Sequence, residues 1–454
     1  MTESDSGSDK IRFVHHSLRT YAVQVIATAL SAVMTILTVR FLGPEGKGIL
    51  SLLILIPVLT VMFGRAGIGY SLIYHAPRIP APRLIFHGFL LTLVLGTAVT
   101  LAATGLVFWQ KNRVFKQVPA AFLAVMCVMS LFYFLFDLAP FFLLATNKID
   151  LRNLLVLIFP VAYLLFFLVF VLGLKKRLEG AVLAWSLAVL LPVAVSLVWM
   201  TKNSIWKDRS LNRPLAGQIM AFGLRSHPGT ILEILNYRAD YLIINLFAGP
   251  AAVGLYACAV NMAEVAWKLP EALTVVLLPK AAALPPDEAR ALTAKVGRIV
   301  WVLVLALFAV IVLLHRPIIT VLFGQAFLPS ARPFLILVPG FIAFSFWKIL
   351  SYGLIAQGHP KKYSLTSGLA FAIMIAADFL LIPKWGLAGA AWASTAAYLL
   401  ATAAILIIYK RTTKTPLRDL LFPYKSDWAP LVRFIKAGKG RNRVTPGPGS
   451  GGAG

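Results

Sequence analysis

Charged residues are scarce in this 454-residue chain. Asp, Glu, Lys and Arg make up 13% of it, whereas soluble domains carry about 25%. Apolar residues make up 59%, and runs of about twenty of them, each long enough to cross the hydrocarbon core of a bilayer, recur along the whole length. These proportions exclude an ordinary soluble protein and predict an integral membrane protein.

Several chemical signatures are also missing. The two cysteines, Cys127 and Cys258, lie inside apolar runs, which predicts small buried side chains and indicates no particular compartment. No two of the seven histidines have metal-ligand spacing on one helix, so we predict no metal site. A glycine-rich loop of the Walker type is absent, which argues against ATP hydrolysis. We expect no cofactor, and nothing in the sequence predicts an enzyme.

Acidic residues are the scarcest charged type. There are 17 Asp and Glu against 43 Lys and Arg, which gives a net charge of +26. Such a balance can indicate nucleic-acid binding, but here the excess is spread over short loops and one tail. This distribution fits membrane topology better, and we expect no nucleic-acid partner. Contact with an anionic substrate or with anionic lipid headgroups stays open.

The apolar runs predict an all-α polytopic fold with about twelve transmembrane helices, because the alternating pattern of a membrane β-barrel is absent. The predicted spans are 18–40, 48–74, 84–108, 119–145, 151–173, 180–200, 217–247, 251–279, 292–314, 331–356, 362–382 and 386–409. The side with both termini holds more Lys and Arg, which predicts cytoplasmic termini. The first run lacks a cleavage site, so we expect a retained helix.

A repeated phrase relates the two halves of the chain. FLGPEGKGIL at 41–50 is similar to FAGPAAVGLY at 247–256. Two further pairs of segments have nearly the same offset: 143–153 with 354–364, and 178–191 with 387–400. Six spans per half is an even number, so two six-helix pseudo-repeats of the same topology are predicted to surround a central cavity.

The repeats also predict the domain boundaries. We expect an N-terminal six-helix lobe over 1–208, a C-terminal six-helix lobe over 209–410 and a basic cytoplasmic tail over 411–454. The tail alternates aromatic and basic residues, so it is either an interfacial segment on the anionic leaflet or a disordered basic end.

These phrases resemble a known family. RFLGPEGKGIL, YRADYLIINLFAGPAAVGLY, GLIAQGHPKKYS and IPKWGLAGAAWAS are similar to turns of the polysaccharide-biosynthesis flippases in the multidrug/oligosaccharidyl-lipid/polysaccharide exporter superfamily. The resemblance extends to about residue 410. It implies a two-lobed fold around a cationic cavity, and export of polyprenyl-pyrophosphate-linked oligosaccharides across the bacterial inner membrane for lipopolysaccharide or exopolysaccharide. The implied partners are the lipid-linked oligosaccharide, membrane lipids, a polymerase and glycosyltransferases.

Ionisable residues at membrane depth cost roughly 2.5–3.5 kcal/mol each, so they are candidates for function. We predict that five bases face the cavity and hold the substrate pyrophosphate: Arg65, Arg225, Arg238, Lys268 and Lys348. Arg65 and Lys348 have no acid one turn away, so each needs a partner on another helix, water or substrate. The alternatives are interhelical ion pairing or, above all for Arg225, snorkelling to the interface.

The acids at membrane depth have separate predictions. Asp240 and Glu264 are candidates for binding a coupling proton or sodium ion, which would let an ion gradient drive alternating access. The alternative for Glu264 is a structural pair with Lys268, since the two are spaced i, i+4 with the acid first. Asp137 and Asp378 are expected to bond to nearby backbone groups.

Two other functions remain as alternatives. An ion-coupled multidrug antiporter of the same superfamily would need acids lining the cavity, whereas the bases at membrane depth at least match the acids. A membrane sugar polymerase or ligase would expose a large outer loop for its acceptor, and the predicted outer loops are short.

Overall fold

The computed structural model of the chain describes residues 3–203, 205, 210–424 and 427. Within these residues every regular element is helical and no strand occurs. Ten of the helices are long and apolar enough to cross a membrane, so the chain is a multi-pass membrane protein. The predicted all-α polytopic class is confirmed.

The helices follow the predicted spans closely. In chain order they are α1 (Glu3–Gly64), α2 (Ile68–His75), α3 (Ala81–Trp109), α4 (Ala120–Ala145), α5 (Ile149–Phe167), α6 (Arg177–Lys202), α7 (Arg213–Ala282), α8 (Pro286–Ile318), α9 (Ala331–Ala356), α10 (Pro360–Trp385), α11 (Leu387–Thr413) and α12 (Leu417–Leu421). Short π-helical turns extend α5 over Leu168–Gly173 and α8 over Ile319–Phe323, and a 3-10 turn, Gln325–Ser330, precedes α9.

The long helix α1 consists of two limbs joined at Gly43. This residue has φ 70° and ψ −179°, a conformation that glycine adopts without a steric cost. Lys47 donates a hydrogen bond to Thr38 at 3.4 Å, although residues nine apart in a straight helix lie about 13 Å apart along the axis and on opposite faces. The chain therefore turns back at Gly43, between α1a (3–42) and α1b (44–64).

The long helix α7 is built in the same way. Gly249 has φ 78° and ψ 176° and separates α7a (213–248) from α7b (250–282). An ion pair between Arg238 and Glu264, at 2.8 Å, joins the two limbs and shows that they are antiparallel. When the limbs of α1 and α7 are counted separately, the described residues contain the predicted number of crossings.

The two glycine corners pack against each other reciprocally. Gly48 lies against the carbonyl group of Pro250, and Gly254 lies against that of Pro44, so closely that neither glycine has room for a Cβ. A contact in which each partner makes the same interaction with the other indicates a two-fold relation. The two repeated phrases therefore form the contact between the halves at this end of the bundle, which we call the corner end.

The halves also touch at the opposite end, about 35 Å away along the helices. The chain is not helical between the end of α1b and the start of α2, because Ala66 and Gly67 have φ values of 46° and 68°. Gly67 lies against the backbone of Gly223 in α7a, again with no room for a Cβ on either residue. The sequence predicts one uninterrupted helix over 48–74, so this break was missed.

Helix α9 is the most enclosed of the candidate spans. It packs against α11 where Gly340 meets the backbone of Thr395. Several small residues of α11 are buried, and Gly389 lies against the backbone of Leu381, so α10 and α11 approach closely. This packing fixes α9 in the interior of the second half, where it carries Lys348.

Candidate functional site

A row of alternating charges runs along α7b. Glu264, Lys268 and Glu271 are spaced i, i+4, i+7 and lie on one face of the helix. Two bases from other helices complete it: Arg238 of α7a is 2.8 Å from Glu264, and Lys348 of α9 is 3.1 Å from Glu271. We call these five residues the charged row.

Lys268 pairs with Glu271 at 3.2 Å, and the pair predicted between Glu264 and Lys268 does not form. The reason is the fold of α7. Because α7a lies antiparallel to α7b, the guanidinium of Arg238 reaches both oxygens of Glu264, at 2.8 and 3.5 Å. A forked donor holds a carboxylate better than a single ammonium group does.

Lys348 is the most buried base of the charged row, with 4% of its side chain exposed. Its Nζ lies 4.7 Å from the ring centre of Trp267 and 5.3 Å from that of Tyr237, in addition to its bond with Glu271. The carboxylate and the two ring faces compensate a charge that would otherwise be costly to bury. Of the three kinds of partner expected for Lys348, another helix, water or substrate, the structure shows a carboxylate on another helix.

The charged row reaches the first half of the chain at Lys47. This lysine of α1b is close enough to Arg238 for the two charges to repel each other. The sequence places Lys47 in an outer loop, but α1b already begins at residue 44, so the side chain lies at the contact between the halves. Lys47 is a base that its position between two apolar runs did not mark as a site residue.

Arg65 lies in the first half, where α1b ends. Its Nη1 is 3.9 Å from Asp137 of α4, and both residues line a small cavity together with Tyr70 and Thr92. The Nε of Arg65 is buried and has no hydrogen-bond partner among the described residues. Asp137 was expected to bond to local backbone groups; it faces Arg65 instead.

Arg225 stands apart from these groups. It is exposed on α7a, two residues beyond the Gly67–Gly223 contact, and it takes part in none of the ion pairs found in the described part of the chain. Of the five predicted bases, Arg238, Lys268 and Lys348 are brought together, Arg65 lies in the other half, and Arg225 fits snorkelling.

Two carboxyl groups are buried near each other in the second half. Asp240 of α7a is 3% exposed and Asp378 of α10 is 0% exposed, and their charges interact. Among the described residues, no hydrogen bond reaches Oδ1 of Asp240 or either oxygen of Asp378. The Tyr256 hydroxyl interacts with Asp240 and lies 3.2 Å from Ser394 Oγ.

Such a pair cannot carry two uncompensated negative charges, so it needs a proton or a bound cation. This arrangement bears on the two predicted ion-binding acids. Glu264 lines the same small cavity as Asp240, but Arg238 already neutralises it. Asp240 therefore fits the prediction better, and Asp378 is the partner that was not selected from the sequence.

The first part of the tail packs against α8. Arg298 donates hydrogen bonds of 2.7 and 2.9 Å to the two oxygens of Asp427, and both side chains are buried. These bonds from Arg298 hold the pKa of Asp427 below its ordinary value. Leu420 of α12 is fully buried. Residues 411–424 and 427 of the predicted tail are thus described, whereas 425–426 and 428–454 lie outside the described residues.

Several solved structures share this architecture. The lipid II flippase MurJ, in an inward closed conformation, has a TM-score of 0.72 at 14% identity and covers 95% of this chain and 94% of its own. An inward-facing multidrug resistance MATE family transporter of the MOP superfamily has a TM-score of 0.69 at 13% identity and covers 87% and 98%. A MOP superfamily transporter from Pyrococcus furiosus has a TM-score of 0.54 at 15% identity and covers 89% and 95%. The chain therefore shares the fold of these solved structures.

The sequence then identifies the family within that fold. The family described as "Polysaccharide biosynthesis protein" matches residues 36–332, and the chain belongs to it. No curated protein matches the chain. The family resemblance drawn from the repeated phrases is confirmed.

Proposed function

We propose that the protein is a flippase that moves oligosaccharide units, linked to polyprenyl pyrophosphate, across the bacterial inner membrane for cell-surface polysaccharide synthesis. Membership of the polysaccharide biosynthesis family supports this, as does the fold shared with a lipid II flippase. The observation that carries the proposal is the charged row, because its bases outnumber its acids at membrane depth.

The charge of the substrate explains the need for such a row. A pyrophosphate cannot cross hydrocarbon without compensation, whereas the polyprenyl tail can stay in the lipid. The surplus positive charge of the row, together with Arg65 and Lys47, would shelter the headgroup during transit. The halves touch at both ends, so opening one contact at a time would expose the bases to one side of the membrane and then to the other.

The sidedness and the lobes are part of the proposal. The excess of Lys and Arg in the loops supports cytoplasmic termini, so the corner end would face outward. The lobes would be 1–208 and 209–410, with the tail over 411–454. Glycosyltransferases would supply the substrate, and a polymerase would take it up.

The buried carboxyls give the proposal a coupling site. Asp240 and Asp378 would bind a proton or a sodium ion when the second lobe faces outward and release it when the lobe faces inward. Their burial and their unpartnered oxygens support this. The same acids also favour the second candidate function, an ion-coupled multidrug antiporter, because exchange of a cationic drug for an ion needs a titratable carboxyl.

A transport assay separates the two functions. The purified protein is placed in liposomes that contain a fluorescent oligosaccharide on undecaprenyl pyrophosphate, and a membrane-impermeant quencher reports which leaflet holds it. We expect the fraction accessible to the quencher to rise with protein and not with empty liposomes. Liposomes that instead accumulate the cationic dye ethidium, with no movement of the lipid-linked sugar, would support the antiporter.

A further inference from the structure

The five members of the charged row are not equivalent, because each acid has a base of its own. Glu264 is held by Arg238 from α7a, and Glu271 is held by Lys348 from α9. Lys268 lies between the two acids on α7b and is the base in excess. The surplus positive charge of the row therefore belongs to Lys268.

The exposed fraction of the side chains also singles out Lys268. The side chain of Lys268 is 55% exposed, that of Arg238 is 30% exposed and that of Lys348 is 4% exposed. An ammonium group has three N–H donors. In the described part of the chain Lys268 uses one of them, for Oε2 of Glu271, so two donors remain for a ligand.

The cost of an exchange also favours Lys268. A phosphate that bound Arg238 would have to displace Glu264, and one that bound Lys348 would have to displace Glu271. The first exchange would leave Glu264 without a counter-ion at membrane depth, which is strongly destabilising. The second would leave Glu271 to Lys268 alone and so remove the surplus positive charge of the row. If a phosphate binds Lys268, Glu271 keeps its bond to Lys348.

We infer that Lys268 is the member of the charged row that contacts the pyrophosphate of the substrate, and that Lys348 is a positioning residue which keeps Glu271 neutralised so that Lys268 stays available. This inference rests on the proposed function. It assigns the contact with the substrate to Lys268, and it treats Arg238–Glu264 and Lys348–Glu271 as ion pairs whose members neutralise each other. Lys348 lies behind Glu271, against Trp267 and Tyr237, and does not itself reach the substrate.

If Lys268 is the contact, two double variants that remove the same charges should bind pyrophosphate differently. In Lys348→Met, Glu271 is left to Lys268 alone, so this pair becomes neutral and anion binding falls. Adding Glu271→Gln removes the acid, frees Lys268 and restores binding. In Lys268→Met the contact itself is lost, and adding Glu271→Gln does not restore it, although the charges removed are the same in both double variants.

The experiment is a titration of the full-length protein in lipid nanodiscs with inorganic pyrophosphate, followed by calorimetry. We expect affinity at least about tenfold weaker in K268M, in K268M/E271Q and in K348M, and near the parental value in K348M/E271Q. The thermal midpoint of each variant is measured alongside, and the two double variants remain comparable even if K348M alone does not fold.

Each outcome is decisive. Equal recovery of binding in both double variants would mean that net charge alone matters, which overturns the inference. Parental affinity in K268M, or failure of K348M/E271Q to bind while it stays folded, would overturn it as well. If the parental protein does not bind pyrophosphate, the proposed function loses its basis, and that result is distinct because it appears before any variant is made.

Discussion

Gly48 of α1b lies in backbone contact with Pro250, the first residue of α7b, and a Cβ on Gly48 would overlap the Pro250 carbonyl oxygen. Gly254 meets Pro44 in the same way, so one contact is made twice. A duplicated unit that packs on its own copy needs a small residue at the same place in both copies. This explains why both repeated phrases keep a glycine four residues after Pro44 and Pro250.

Substituting Gly48 by Ala should therefore separate the corners. Overpacking of this kind costs about 1–3 kcal/mol, and here the obstacle is backbone, which cannot rotate away. We expect a lower thermal midpoint in detergent for Gly48→Ala and a similar decrease for Gly254→Ala. Gly105→Ala is the matched control, because a Cβ at Gly105 of α3 meets nothing within 4 Å. Unfolding of all three variants at the parental temperature would contradict the corner contact.

The Arg238–Glu264 pair should behave as a unit. Removing the guanidinium in Arg238→Met leaves Glu264 partly buried without its donor, at a cost of about 1.5–3 kcal/mol. Adding Glu264→Gln should recover most of that stability, since both charges are then gone. A double-mutant cycle on unfolding temperature measures the coupling. Strictly additive effects would show that the two side chains do not depend on each other.

Much of the fold follows from local sequence. Apolar runs of membrane length predict the helices, and Gly43-Pro44 and Gly249-Pro250 predict the corners, because both signals depend on residues close in the chain. The break at Ala66 and Gly67 was missed because apolar residues continue on both sides of Arg65, and the whole run was taken as one span. Pro228 shows the opposite case: a proline inside a helix ordinarily kinks or breaks it, yet α7a stays helical through this residue.

The sequence shows which charged residues of the site are unusual, but it does not show which residues they pair with. Insertion cost marks Arg65, Asp240 and Lys348 as exceptional wherever they sit. Their partners depend on which helices become neighbours, and that is a property of the tertiary fold. Glu271 and Asp378 acquire their roles only from α9 and α7a packing beside them, so spacing along one helix could not reveal them.

Replacing Asp378 by Asn should uncouple transport from its ion gradient. The substitution keeps the shape of the side chain but removes one of two buried carboxyls, so Asp240 would no longer share a cation or a proton with it. In the liposome assay we expect lipid-linked sugar movement to become insensitive to imposed sodium and pH gradients. Glu288→Gln, at an exposed acid of α8, is the control and should respond like the parental protein. A gradient response retained in Asp378→Asn would exclude this carboxyl from coupling.

The tail contact should depend on pH. Hydrogen bonds from Arg298 hold the pKa of Asp427 below its ordinary value of 3.8, so the ionised form is favoured in the folded state. The resulting stability is fully present above that ordinary value and is lost as the pH falls through the lower, folded-state value. We expect the difference in thermal midpoint between the parental protein and Asp427→Asn to be constant from neutral pH to about pH 5. It should shrink toward zero in stronger acid, and a difference that grows on acidification would reverse the assigned sign.

Arg65 offers the most direct test of the central claim, that bases at membrane depth carry a pyrophosphate headgroup between leaflets. The measurement is the rate at which fluorescent undecaprenyl-pyrophosphate oligosaccharide changes leaflets in liposomes, for the parental protein, Arg65→Ala and the exposed control Arg316→Ala, each inserted to the same level. We expect Arg65→Ala to abolish movement and Arg316→Ala to leave it unchanged. Movement at the parental rate in Arg65→Ala would contradict it.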